Sequence, residues 1–166
     1  MRFYFTRMRS KDICPPRQPL KKIVWSWVGA FCGIYLVASL ATYMGEHLLG
    51  TMFVIGSFGA SAVLVYGAPL AEFSQPRNLI GGSVLSALIG VAVYQVFADY
   101  MVLASALAVS LAIALMYLTR TLHPPGGATA LIAVIGGENV HQLGFLYALM
   151  PVFLGSLLLL LVALVV

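Results

Sequence analysis

Residues 119–129 read Thr-Arg-Thr-Leu-His-Pro-Pro-Gly-Gly-Ala-Thr, the densest run of chemically able groups in a chain of 166 residues. Proline has no amide proton and disfavours helix in the residue before it. His123 is therefore expected to be non-helical, with Pro124 and Pro125 in the first turn of a new helix, where missing amide protons cost little. The glycines leave the backbone amides of Gly126, Gly127 and Ala128 open to a ligand, and valine at Gly127 is expected to be at least as damaging as losing His123, because it blocks that access. A helix N-terminus carries partial positive charge and free N–H groups, and Arg120 and His123 lie within one turn of it. A small anion is the natural guest, with Arg120 supplying charge and Thr129 a hydroxyl. The same residues also suit an ordinary tight turn, with Arg120 reaching to lipid headgroups.

A second run starts at Gly56-Ser57-Phe58-Gly59-Ala60-Ser61-Ala62 and continues through Tyr66-Gly67-Ala68-Pro69 to Gln75-Pro76-Arg77-Asn78. Ser57 and Ser61 are four apart and share a helix face, with Gly59 between them. Their hydroxyls suit either a permeant ion or ordinary bonds to the preceding turn and to a neighbouring helix. Gln75, Pro76, Arg77 and Asn78 read as a fixed polar connection that caps the next span, and Arg77 also reads as a topology signal. His123 is the candidate group near physiological pKa, so proton coupling is open. His47 and His141 fall in connections beside Glu46 and Glu138 and read as solvated. Ser57 with His123 is the only nucleophile and base pair on offer, nothing in the sequence places the two together, and no acidic residue falls inside an apolar segment. An enzyme is not expected, and neither a metal nor a cofactor is implied.

The elements that must hold these residues are membrane helices. The sequence is 61% hydrophobic and 8% charged, with mean hydropathy +1.01, whereas soluble domains are about a quarter charged. Six apolar segments stand out: 23–44, 51–70, 79–98, 101–119, 124–137 and 143–166. The first four and the last are long enough to cross a bilayer; the fifth, bounded by Pro124-Pro125 and Gly136-Gly137, is short or re-entrant. Six spans of about 20 residues use about 120 positions, so every connection is short and a sizeable extramembrane catalytic or ligand-binding domain is excluded. The expected class is an all-α polytopic membrane protein of about six spans.

Seven of the nine basic residues lie in the first 22 positions: Arg2, Arg7, Arg9, Lys11, Arg17, Lys21 and Lys22. Such a cluster before a long apolar run is a cytoplasmic anchor, which argues against nucleic acid as a partner. The run from Ile23 to Met44 is too long for a secretory signal. Residues 1–22 therefore read as a basic cytoplasmic tail and 23–166 as one transmembrane domain in a cell (inner) membrane. Alternating spans then place Arg77 and Arg120 inside, and Glu46, Asp99 and Glu138 outside. Cys14 and Cys32 sit in different environments and indicate no disulfide.

Gly59-Ala60-Ser61-Ala62 recurs as Gly127-Ala128-Thr129-Ala130. If 23–98 and 99–166 are two halves of three spans each, they have opposite topology, and paired glycine-interrupted segments point to a midplane site. Recurrent small residues also serve close helix packing.

These motifs, with Gly81-Gly82 after Gln75-Pro76-Arg77-Asn78 and with Leu118 to Leu131, resemble the HPP family of integral membrane proteins, named for the tripeptide matched by His123, Pro124 and Pro125. The resemblance covers about residues 20–165. It implies a small polytopic protein, linked to nitrite transport in cyanobacterial and chloroplast members. Some relatives carry a soluble regulatory domain after the membrane part; this sequence closes on the apolar run Leu157 to Val166, and no such regulation is expected. The combined expectation is a transporter or channel for a small monovalent anion, nitrite or a close relative, assembled as a homo-oligomer. The other class left open is a non-transporting scaffold or regulatory subunit, for which Gly29-Ala30-Phe31-Cys32-Gly33 would be a packing motif.

Overall fold

A computed structural model describes residues 16–44 and 56–166, and every regular element among them is helical. Arg2, Arg7, Arg9, Lys11, Cys14, Glu46 and His47 lie outside the described residues. Helix α1 is Leu20–Met44. Helix α2, Ser57–Ala62, runs on as a wide π-helical turn, Val63–Gly67. A 3-10 turn at Glu72–Ser74 and a second π turn at Arg77–Gly82 lead into α3, Ser83–Phe97. Then follow α4 (Met101–Thr119), α5 (Pro124–Ile135), the short α6 (Glu138–Leu143), a kinked segment Ala148–Phe153, and α7 (Leu154–Val165).

Among the described residues, four stretches are long and apolar enough to cross a membrane: Leu20–Tyr43, Arg77–Phe97, Met101–Thr119 and Ala148–Val165. The expectation of six spans is met only in part. The apolar helices Ser57–Gly67 and Pro124–Ile135 are shorter; at 1.5 Å per residue the second reaches about 18 Å, against a hydrocarbon core of about 30 Å. For the second segment, read as 51–70, positions 51–55 lie outside the described residues. The last segment, read as continuous over 143–166, is broken. Gly144 has φ +49°, a left-handed backbone that ends α6, and Met150 is non-helical just before Pro151, which has no amide proton to donate.

Packing divides into two parts around α2. On one side α3, α4 and α5 pack against each other pairwise. Ala104, Ala108, Ala112 and Met116 recur every fourth residue, so they form one buried stripe of α4 against its neighbours. Gly90 of α3 lies so close to α5 that a Cβ there would stand 2.5 Å from the Ala130 carbonyl oxygen. On the other side α1 and α7 pack on α2. The Tyr66 ring sits over Gly29 and Gly33, its hydroxyl donates to the Leu159 carbonyl at 2.9 Å, and Ser26 donates to the Tyr66 carbonyl at 2.7 Å. The small-residue motif of the first span is thus occupied within the chain. The Ser26 bond also brings the start of α1, with Lys21 and Lys22, to the end of the bundle that holds the 68–77 connection; this is called the basic end below.

Candidate functional site

Two turns build the site at the basic end. Helix α4 stops because Arg120 adopts the left-handed conformation (φ +56°), which lets Thr121 N–H donate to the Met116 carbonyl at 2.9 Å and closes the helix C-terminus. His123 is then extended (φ −134°, ψ 104°), and Pro124 and Pro125 occupy the first two helical positions of α5, as the proline chemistry requires. The third position is not open, however. Gly126 N–H donates to the His123 carbonyl at 2.8 Å, so of the first three positions of α5 two have no proton and one is engaged. Gly127 is half-buried and Ala128 exposed.

His123 is fully buried (0% exposed) and has a partner at each ring nitrogen. Nδ1 lies 2.8 Å from the Phe73 carbonyl oxygen and Nε2 lies 2.9 Å from Ser61 Oγ. A carbonyl can only accept, so Nδ1 carries the proton; Nε2 of the neutral ring is then the acceptor, and the Ser61 hydroxyl donates to it. Burial pushes the imidazole below its ordinary range, and the bond to the Phe73 carbonyl partly offsets that. The serine that meets His123 is therefore Ser61. Ser57 is also buried, on the same helix, while Gly59 lies on the exposed face of α2.

The 74–78 connection holds this arrangement from outside. Asn78 Nδ2 donates to the Leu122 carbonyl at 2.8 Å, and the Arg77 guanidinium donates to the Arg120 carbonyl. Ser74 donates to the carbonyls of Leu64 and Ala68 at 2.9 and 2.7 Å, and Gln75 to that of Pro69 at 3.2 Å. The side chains read as a cap for one span thus tie three segments together: the end of α2, the start of α3, and the loop between α4 and α5. Gly82 and Gly126 meet beneath, where a Cβ on Gly126 would stand 2.6 Å from Ser86 Oγ. Thr129 is buried, donating to the Pro125 carbonyl at 3.3 Å, and its own carbonyl accepts from the Tyr147 hydroxyl at 3.2 Å.

Outside His123 lies a half-open cavity of about 320 Å3, walled by Glu72, Phe73, Met116, Tyr117, Arg120 and Leu122. Leu122 precedes His123 and Phe73 holds it, so the cavity wall includes residues joined directly to the buried pair. Arg120 is on the cavity and not beside the serines. Sequence reasoning missed Glu72, Tyr117 and the Phe73 carbonyl. A backbone acceptor leaves no trace in residue type, whereas Glu72 was visible as a charge in a short connection. At the opposite end His141 is tied down rather than solvated: Nε2 donates to the Val134 carbonyl at 2.8 Å, and the ring stacks on Tyr94 with centroids 3.6 Å apart.

Comparison with known proteins gives one family. A model described as HPP, transmembrane region, matches residues 15–166. Two Dictyostelium discoideum proteins, each named only as a transmembrane protein, are 46% identical over 98% of this chain and 48% identical over 94% of it. The chain spans about half the length of these relatives, 53% and 55%. No solved structure matches.

Proposed function

We propose that this chain, which belongs to the HPP transmembrane family, forms a membrane pathway for a small monovalent anion, nitrite or a close relative, entered at the basic end. The observation that carries the reading is the buried Ser61–His123 hydrogen bond at the seam of the two short helices, directly behind a cavity that displays Arg120. Packing alone does not require a buried imidazole with both nitrogens engaged, and a polar seam behind a cavity that carries Glu72 and Arg120 supports a route for a small hydrophilic solute.

The cavity wall carries one guanidinium, Arg120, and one carboxylate, Glu72, and the Arg77 guanidinium adjoins it through its bond to the Arg120 carbonyl. The three groups sum to one positive charge, which suits a single monovalent anion. Arg120 also holds a left-handed backbone that costs an L-residue about 1–2 kcal/mol, where glycine would close the helix without strain. Its side chain therefore supplies something that helix capping does not need. The matched Gly-Ala-Ser-Ala and Gly-Ala-Thr-Ala runs fall on α2 and α5, the two short helices, which supports two inverted halves meeting at the site. In this reading the basic end faces the cytoplasm, and copies of the chain associate in the bilayer.

Uptake of nitrite, nitrate, formate and chloride into proteoliposomes, each measured in turn, tests the proposal. Saturable uptake that Arg120→Ala reduces at least tenfold supports it. Absence of uptake of all four anions sinks it and favours the scaffold or regulatory subunit.

A further inference from the structure

One proton reverses the hydrogen bond at the centre of the site. The Phe73 carbonyl fixes the proton of the neutral ring on Nδ1, and the Ser61 hydroxyl gives its single proton to Nε2. In that state neither group has a donor left for an anion. A proton arriving on Nε2 changes both. The imidazolium carries two N–H groups, the new one donates to Ser61 Oγ, and the serine proton is free to turn toward a guest. The seam then holds one positive charge and one available hydroxyl donor. We infer that Ser61 and His123 form a proton-gated anion site, at which one proton and one monovalent anion bind together, an inference that rests on the anion pathway proposed above.

The surroundings of the ring suit such coupling. Helices α2 and α5 bring no titratable side chain to it: their residues are Ser-Phe-Gly-Ala-Ser-Ala and Pro-Pro-Gly-Gly-Ala-Thr-Ala-Leu-Ile-Ala-Val-Ile. Tyr66, in the turn after α2, is engaged away from the ring at Leu159. The Glu72–Ser74 turn brings Glu72, the Arg77–Gly82 turn brings Arg77, and the end of α4 brings Tyr117 and Arg120. Burial opposes an added proton, and the bond to the Phe73 carbonyl partly offsets that. The ring therefore favours its neutral form while the site is empty, and an arriving anion stabilises the added positive charge. Linkage makes the effect mutual: the anion raises proton affinity by the factor by which the proton raises anion affinity. The proton reaches the pair from the side of the cavity, whose wall includes Phe73 and Leu122.

The test uses the full chain in liposomes, with nitrite uptake and internal pH recorded together and the signal of empty liposomes subtracted. The expected result is uptake that rises at least fivefold from pH 7.5 to 5.5 and acidifies the interior. Ser61→Ala should remain folded and give low, pH-independent uptake, and Ser61→Thr, which keeps the hydroxyl, should restore both. A signature on the unaltered protein guards against a merely structural role. The 15N shifts of the His123 ring, assigned through His123→Gln, should report the neutral Nδ1–H form without nitrite and a doubly protonated ring when nitrite is saturating at pH 5.5. Uptake independent of pH, Ser61→Ala with full acid stimulation, or a ring that stays neutral with nitrite bound overturns the gate and leaves the anion pathway standing. Failure of wild type to take up any of the four anions overturns both.

Discussion

Tyr66 and His123 flank the short helix α2 on opposite sides, each buried beside glycines, and they are held in different ways. The Tyr66 ring rests over Gly29 and Gly33, and its hydroxyl ends on one carbonyl. His123 sits against Gly82 and bridges a hydroxyl and a carbonyl, one through each nitrogen. The glycines of the α1 side make room for ring atoms, which can shift by a rotation. On the α3–α5 side Gly82 and Gly90 make room for backbone, the Thr121 carbonyl and that of Ala130. One side is packed by shape and can adjust; the other is a rigid frame around a polar group, as a site whose donors must stay aimed requires.

The largest expected effect breaks the comparison at the frame. In Gly90→Ala the new methyl meets the Ala130 carbonyl at 2.5 Å and Ala133 Cβ at 2.7 Å, and helix backbones cannot separate locally. A loss of about 3 kcal/mol is expected, at the upper end of overpacking, read by reversible unfolding in mixed micelles. Gly29→Ala meets only the edge of the Tyr66 ring at 2.8 Å, and should cost about 1 kcal/mol. Equal losses would mean that the two sides are equally rigid.

A smaller pair of effects separates stability from function. Ser61→Ala and Tyr66→Phe each remove one hydroxyl hydrogen bond, with an expected cost of about 1 kcal/mol apiece. Anion uptake should fall to a low, pH-independent level in the first and be kept in the second. A Tyr66→Phe protein as inactive as Ser61→Ala would show that uptake follows packing in general and not the polar seam.

The same contrast predicts a pH dependence. Burial holds the folded His123 below its ordinary value of 6.5, so the unfolded chain binds this proton more readily than the folded one. Stability from this group is therefore complete above about pH 6.5 and falls as pH drops from there toward the lowered folded pKa. Melting of the anion-free protein at pH 7.5 and 5.5 should show the loss, and His123→Gln should melt with a flatter pH profile. An unchanged slope in that variant would place the effect on other groups.

Much of the frame was legible in the sequence because proline and glycine act locally. Two prolines at 124 and 125 permit one backbone at His123, and the structure has it. The apolar periods located α1, α3 and α4 to within a few residues. The break at Gly144 and Pro151 was hidden in a continuous apolar run, since hydropathy averages over a kink. The site was harder to read. His123 and Ser61 were recognisable as candidates by type, but their pairing is set by how α2 lies against the loop before α5, a contact 62 residues apart. The Phe73 carbonyl that fixes the tautomer belongs to no residue type at all.

Gly126 and Gly127 carry the smallest effect and the sharpest distinction between a cradle for a ligand and a place for close packing. Adjacent glycines look alike in sequence, and Gly127 was expected to be the sensitive one because its amide would face an anion. The nearest atom to a Cβ on Gly127 is Val109 Cγ1 at 3.9 Å, whereas on Gly126 it would meet Ser86 Oγ at 2.6 Å and Met116 Sδ at 3.1 Å. Gly127→Ala should therefore gain about 0.5–1 kcal/mol from the lower backbone entropy of the unfolded chain, and Gly126→Ala should lose more than that. With Gly127→Ala, uptake becomes the deciding measurement. Unchanged uptake in the stabilised variant places the anion at the Ser61–His123 seam, and loss of uptake without loss of stability moves it to the amides of α5.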